Sequence, residues 1–335
     1  MSVDLKTKYL GLTLKNPVVV SACPLADKLD NLRKAEAAGA SAVVLHSLFE
    51  EQIAHEEEEI QKVYERGTES FAEALSYFPD VEEYRFAPNL YLEHITKAKK
   101  AVSIPVIGSL NGVSRGGWTS YAKRIQEAGA DALELNVYFV AADINESSAD
   151  VEQRYVDLVA AVKESISIPL AVKIGPYFSS VGYVAKKLVD AGANGLVLFN
   201  RFLQPDINLD TLEVGPKLEL STAFEELLPL RWVAILRGRV NASLALTSGI
   251  HCYGGLVKAL LAGADVGMLA SVLYQKGIDQ IGTILKETTD WMQEKEYESV
   301  EQLKGSMSQV NCPDPAAFER GNYMKALTSF TGKIV

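Results

Sequence analysis

Several short apolar runs in this chain end in polar residues that such runs seldom carry. Val172-Lys173-Ile174 sets a lysine inside an apolar segment, where its charge costs desolvation unless it meets an anion or an electron-rich ring. The following Gly175-Pro176 allows a sharp turn and a close approach to a ligand. A plainer reading has the lysine snorkelling to a rim, and a third makes it a Schiff-base nucleophile. Glu134-Leu135-Asn136 and Phe199-Asn200-Arg201 bring in asparagines, whose amides offer a donor and an acceptor to a ligand but also start ordinary turns. Thr247-Ser248-Gly249-Ile250 and Leu269-Ala270-Ser271 each stand just before a helical pattern. Backbone amides at helix starts, with small residues admitting close approach, make a phosphate site; simple capping by Ser248 and Ser271 is the alternative. His46 ends another apolar run and is a candidate acid or base, or a structural histidine. The four histidines show no metal-ligand spacing, and there is no Gly-x-Ser-x-Gly elbow, His-Glu-x-x-His or Gly-rich nucleotide signature.

The elements that must position these residues are written in a repeat. Ala-Gly-Ala occurs at 38–40, 128–130, 191–193 and 262–264, each time before an apolar run. Glycine ends a helix by tolerating the left-handed cap, and a buried parallel strand reads as a continuous apolar run. The pattern predicts eight strands, at about 17–21, 42–46, 105–109, 131–136, 170–174, 195–199, 243–247 and 265–269. Helices are expected at about 28–38, 116–128, 150–165, 181–191, 224–237, 251–262 and 275–293. Ser103-Ile104-Pro105 and Ser167-Ile168-Pro169 repeat one strand entry, with proline where no ladder bond is lost. The expectation is a single α/β domain, a (β/α)8 TIM barrel with its core at about 16–293 and a carboxyl-terminal extension at 294–335. An open doubly wound sheet is the competitor. Long insertions are expected after the second strand (47–100) and the sixth (200–223). Both follow strands and so belong to the face where barrel active sites are built; Tyr77-Phe78-Pro79-Asp80 suggests a partial lid.

Composition narrows the function. A net charge of −10 argues against nucleic acid, and the acidic stretch 50–59 reads as a solvated face or a docking patch. No run of 18 apolar residues and no export signal are present, so neither a membrane span nor secretion is expected. Three scattered cysteines fit a reduced, cytoplasmic protein.

Taken in order, these segments resemble the dihydroorotate dehydrogenase family of FMN-containing barrels. The likeness runs from Leu10-Gly11-Leu12-Thr13-Leu14-Lys15-Asn16-Pro17, which looks like that family's opening strand and approach to the flavin. It continues through Gly108-Ser109-Leu110-Asn111-Gly112, Glu134-Leu135-Asn136 and Val172-Lys173-Ile174 to Ser248-Gly249-Ile250 and Leu269-Ala270-Ser271. The resemblance implies FMN as cofactor. Ser21 and Ala22 would line its ring, with Asn111 beside them; Lys173 would lie at the N1 and O2 edge. Ser248, Gly249, Ala270 and Ser271 would hold the phosphate. Asn136 would touch flavin and substrate, and Asn200 the substrate.

The resemblance also implies a small-molecule substrate, a homodimer and the oxidation of dihydroorotate in pyrimidine biosynthesis. The chain departs from the family after Asn136. Phe139 falls where the family has its Cys or Ser base, Ala141 replaces a substrate asparagine, His46 replaces a lysine, and Arg201 replaces a small hydroxyl residue. Tyr138 and His46 are then the candidate bases, each needing its pKa lowered by its surroundings. Three readings follow: an FMN oxidoreductase acting on CH–CH groups, a flavin barrel turned to another substrate or to electron transfer as an accessory protein, and a flavin-free phosphate-ligand aldolase or decarboxylase.

Overall fold

The eight apolar runs are the parallel strands of one closed barrel. In a computed structural model of the chain, residues 3–53, 88–112, 118–319 and 323–330 are described. A hairpin of β1 (Thr7–Tyr9) and β2 (Leu12–Leu14) precedes the barrel. The barrel strands follow as β3 (Val18–Val20), β4 (Ala42–Phe49), β5 (Val106–Asn111), β6 (Ala132–Asn136), β7 (Leu170–Ile174) and β8 (Gly195–Leu198). A second hairpin, β9 (Gln204–Asn208) and β10 (Glu213–Lys217), interrupts the series before β11 (Ser243–Thr247) and β12 (Val266–Leu269) close it onto β3. The helices are α1 (Leu29–Ala37), α2 (Pro88–Ala101), α3 (Trp118–Glu127), α4 (Ser148–Ser165), α5 (Val181–Asp190), α6 (Leu227–Leu236), α7 (Tyr253–Ala262), α8 (Ser271–Lys276), α9 (Gln280–Glu294), α10 (Val300–Leu303) and α11 (Tyr323–Phe330).

The repeat acts as its composition predicts. Gly39, Gly129, Gly192 and Gly263 all have φ between +100° and +120°, the conformation that ends a helix and that glycine adopts without strain. The polar residue after each copy then ties neighbouring strands together. Asp131 accepts from Val106 N, Asn194 from Leu170 N and Asp265 from Leu244 N at 2.7–2.9 Å, and Ser41 Oγ donates to Val18 O. Each repeat therefore stops a helix and sets the register at the next strand's entrance.

Two packed layers result. Outward-facing residues such as Leu133, Leu135, Leu196 and Leu246 pack under the helices. Val19, Val44, Ile107, Ala132, Ala171, Val197, Ala245 and Met268 fill the interior together with Tyr9, Leu10 and Leu14 of the first hairpin. Leu10 N donates to Ser243 Oγ and Thr7 Oγ1 to Asp265 O, which pins that hairpin across the amino-terminal ends of the strands.

Three expectations are corrected here. The segment 10–17 is the tip and return of a hairpin that plugs the far end of the barrel, so only its continuation through β3 leads toward the site. Helix α2 is not among the expected helices; it lies at the end of the insertion expected after the second strand. The helix expected at 275–293 is two helices broken at Gly277, whose φ is +87°. The gap after β8 holds the exposed hairpin β9–β10. The lid suggested at Tyr77 to Asp80 and the acidic run at 56–59 lie outside the described residues.

Residues beyond 293 are partly woven into the barrel. Val300 N donates to Asp4 O, and Gly305, Met307 and Gln309 donate backbone bonds to Leu260, Leu261 and Ala234 of α7 and α6. No helix among the described residues is long and apolar enough to cross a membrane.

Candidate functional site

A cavity of about 570 Å³ opens at the carboxyl-terminal ends of the strands, a size within the roughly 300–1,000 Å³ typical of ligand sites. Strand period explains its lining. Along β6 the side chains of Ala132, Glu134 and Asn136 alternate with Leu133 and Leu135, which face the helices. Asn136 pairs in register with Lys173 on β7 and with Asn111 on β5, so these three polar residues share one layer above the apolar interior. All three are buried and all three line the cavity.

Lys173 does not snorkel. It is 7% exposed, and its ammonium lies 3.7 Å from the Glu134 carboxylate, which sits one layer deeper. Asn200 donates from Nδ2 to Asn136 Oδ1 at 2.6 Å, so the two strand-end amides form a pair beside that cation.

On the opposite wall, the segment just after β3 supplies Ser21, Ala22 and Cys23. Burial pushes the Cys23 thiol pKa up, which keeps it protonated and poorly nucleophilic. The register of β4 against β5 shifts between Val44 and Ser47, a bulge that turns both His46 and Ser47 toward the cavity. His46 Nδ1 lies against the Asp27 carboxylate, and Tyr91 meets the ring edge-on at 5.3 Å between centroids. That carboxylate holds the orientation of the imidazole at the cavity wall.

The last two strands build the third wall. Ser248 and Gly249 both have positive φ, +77° and +84°, and the turn packs so tightly on the start of α6 that a Cβ on Gly249 would lie 2.3 Å from Glu226 N. Ser271 begins α8 and accepts from both the backbone N and the hydroxyl of Ser221, whose Oγ is 3.5 Å from His251 Nε2. These small residues, hydroxyls and chain turns form a concave cradle suited to an anion.

The structure thus brings to one cavity Ser21, Ala22, His46, Asn111, Asn136, Tyr138, Lys173, Asn200, Ser248, Gly249, Ala270 and Ser271. Phe139 is not among the lining residues. It faces the other way, under the Arg154 guanidinium at 4.4 Å. Tyr138 takes the inward place, its ring tilted at 34° against Phe202 with 4.3 Å between centroids and its hydroxyl accepting from Leu203 N at 3.2 Å. Arg201 also lines the cavity but is committed, with Nε 2.6 Å from Glu225 Oε1 and Nη1 bonded to Glu219 O. Sequence reading missed Cys23, Ser47, Asp27 and Ser221. The first was foreseeable, lying just past a strand tip; the others depend on a bulge or on contacts between distant segments.

Comparison with known proteins agrees with this geometry. No protein-family model matches the chain. Over 310 residues it is 25% identical to the dihydroorotate dehydrogenase B (NAD(+)) catalytic subunit of Methanocaldococcus jannaschii, covering 90% of this chain and 97% of the relative. The same-named proteins of Thermoplasma acidophilum and Pyrococcus abyssi are each 25% identical, over 310 and 311 residues and 98% of their own lengths. The chain is thus similar, at 25% identity, to dihydroorotate dehydrogenase catalytic subunits. The likeness extends over 90% of the chain.

One family-like wall carries a pH-sensitive group. Glu226, 4% exposed behind Gly249 and Gly255, has an unpartnered Oε1 among the described residues, and burial raises its pKa from 4.5 to about 7. A carboxyl whose folded pKa is raised stabilises the fold below the unfolded pKa, and that stability is lost as pH rises through the folded one. The loss falls between pH 4.5 and about 7 and amounts to at most about 3 kcal/mol. Glu226→Gln is expected to flatten this part of the stability profile and to exceed wild type above pH 7; urea unfolding at pH 5 and pH 8 checks it.

Proposed function

We propose that the cavity binds FMN and that the protein is an FMN-dependent oxidoreductase acting on a CH–CH bond, with dihydroorotate or a close cyclic relative as substrate. The observation that carries this reading is the buried Lys173 ammonium in one layer with Asn111 and Asn136, facing a cradle of small residues across the same cavity. A cation at the floor suits the edge of a flat ring that gains negative charge, and the cradle suits a phosphate tail. When bound, FMN supplies a two-electron acceptor for hydride. Ser21 and Ala22 would pack against the ring, Lys173 would hold its charged edge, and Ser248, Gly249, Ala270 and Ser271, joined by Ser221, would hold the phosphate. The Asn136–Asn200 amide pair would orient the substrate.

His46 is our choice for the base that removes the substrate proton. It enters the cavity from the β4 bulge with Asp27 behind it, an orienting pair of the kind that general bases use. Tyr138 is the weaker candidate, since its hydroxyl is engaged by Leu203 N. The deciding experiment is purification under mild conditions, a flavin absorbance spectrum, and anaerobic mixing with dihydroorotate. A flavin band bleached by dihydroorotate is the expected result; a colourless protein that cannot be reconstituted with FMN refutes the reading. His46→Asn should lower the bleaching rate by about 10²–10⁴ without loss of flavin, the range expected for a lost general base. A rate within a factor of a few of wild type would pass the role to another group.

The second reading, a flavin barrel whose substrate half has been rebuilt, draws on Arg201 and Phe139. The first is neutralised by Glu225 and the second faces away from the cavity. A bleachable flavoprotein that ignores dihydroorotate would favour it. We also propose a homodimer joined through β9–β10. Leu209, Leu212 and Val214 are 70–82% exposed on a lone two-stranded ribbon, which has little stability uncovered. Val214→Glu combined with Leu212→Glu should convert the dimer to monomer in analytical ultracentrifugation; an unchanged sedimentation coefficient would reject this interface.

A further inference from the structure

The proposed function leaves one buried acid without a task. Glu134 is fully buried inside the barrel, and neither of its carboxylate oxygens has a hydrogen-bond partner among the described residues. Its nearest opposite charge, Lys173 Nζ, stands at 3.7 Å, too far for a hydrogen bond but close enough for strong attraction in a dry interior. Among the described residues, the groups that face it from other elements supply no second cation. Tyr9 rises from the bottom hairpin and Tyr91 comes from α2 with its hydroxyl bonded to Ser109, and burial beside Glu134 holds both phenols neutral. Asp265, deeper toward the plugged end, is already paired with Lys304 and Arg237.

Among the described residues, ionised Glu134 is therefore sustained by Lys173 alone, the same cation that lies at the floor of the cavity. Desolvation of a carboxylate costs several kcal/mol when its counter-charge is withdrawn, and such a group neutralises instead. The burial that raises its pKa and the lysine that lowers it are the two opposing influences on the group. A new negative charge above Lys173 would share that cation and shift the balance toward the protonated acid.

We propose that Glu134 takes up a proton from solvent when the ring bound over Lys173 becomes anionic, so that the buried charge of the site is the same before and after reduction. This rests on the FMN reading. The balance is as follows. The reductant, a mediated cathode in the test or the substrate's hydride in turnover, gives the ring two electrons; the ring's one proton comes from solvent in the first case and with the hydride in the second. Lys173 stays an ammonium throughout. The Glu134 carboxylate binds the second proton. The charges on lysine, acid and ring sum to zero in both states.

The test is proton uptake by the FMN-loaded full-length protein during anaerobic electrochemical reduction, which supplies electrons without protons, at pH 8 in weak buffer, followed with an indicator dye. The expected result is about two protons per electron pair for wild type and about one for Glu134→Gln. Infrared difference spectra of wild type alone should show a carboxylic C=O band appearing on reduction, so the proposal remains testable if the variant does not fold. Uptake of about one proton by wild type with no such band overturns the proposal, as does equal uptake by wild type and a folded Glu134→Gln. A protein that neither retains nor rebinds FMN overturns the FMN reading instead, and this inference with it; the absorbance spectrum taken before reduction separates the two failures.

Discussion

Lys173→Met is expected to slow reduction of bound flavin by roughly 10²–10³-fold, the cost of removing one preorganised electrostatic group from a charge-developing centre. The same change should also be felt by the fold. Lys173 is the only cation near Glu134 in the described interior, and breaking a buried pair by removing one partner costs about 3–5 kcal/mol unless the survivor neutralises. The double variant Lys173→Met, Glu134→Gln removes both charges and should regain most of the stability while leaving reduction slow. Stopped-flow reduction and urea unfolding of the three proteins separate the two effects. If the double variant also regained fast reduction, the lysine would act on the fold and not on the ring.

The second large effect is expected at Gly249. An alanine there would keep a φ of +84°, a conformation that costs an L-residue about 1–2 kcal/mol. Its Cβ would also stand 2.3 Å from Glu226 N and 2.8 Å from Glu226 Cα and Cβ, and none of these atoms can swing aside as a long side chain would. With about 1–3 kcal/mol for overpacking, Gly249→Ala should lose roughly 2–5 kcal/mol. It should also lose most bound cofactor, because relief requires the turn of the anion cradle to move. Gly11→Ala is the control: its φ is +78°, but nothing lies within 4 Å of the new carbon. Flavin content after dialysis and thermal unfolding should separate the pair, with cofactor loss confined to Gly249→Ala.

Much of the barrel was legible because parallel strands buried on both faces leave long apolar runs, and because the repeated Ala-Gly-Ala ends the helices between them. The strand positions at 170–174 and 243–247 coincide with β7 and β11. Helix α2 was harder to see, since it follows a long acidic and aromatic stretch that breaks the rhythm of the repeat. The lysine and asparagines of the cavity were conspicuous as polar groups in apolar strands. Glu134 was equally visible two residues before Asn136, and the period of a strand puts it on the same inward face. Its consequence needed the neighbouring strand, because only pairing of β6 with β7 sets Lys173 above it. Ser221 could not be read locally at all: its partner Ser271 is 50 residues away, and the contact exists only because the chain returns from the hairpin to the rim.

The hairpin Thr7–Leu14 corks the far end of the cylinder with Tyr9, Leu10 and Leu14. A guest held at the opposite end has no back exit through the barrel. A reductant and an oxidant that both need its reactive face must use one doorway in turn, so the two half-reactions are expected to alternate in ping-pong order.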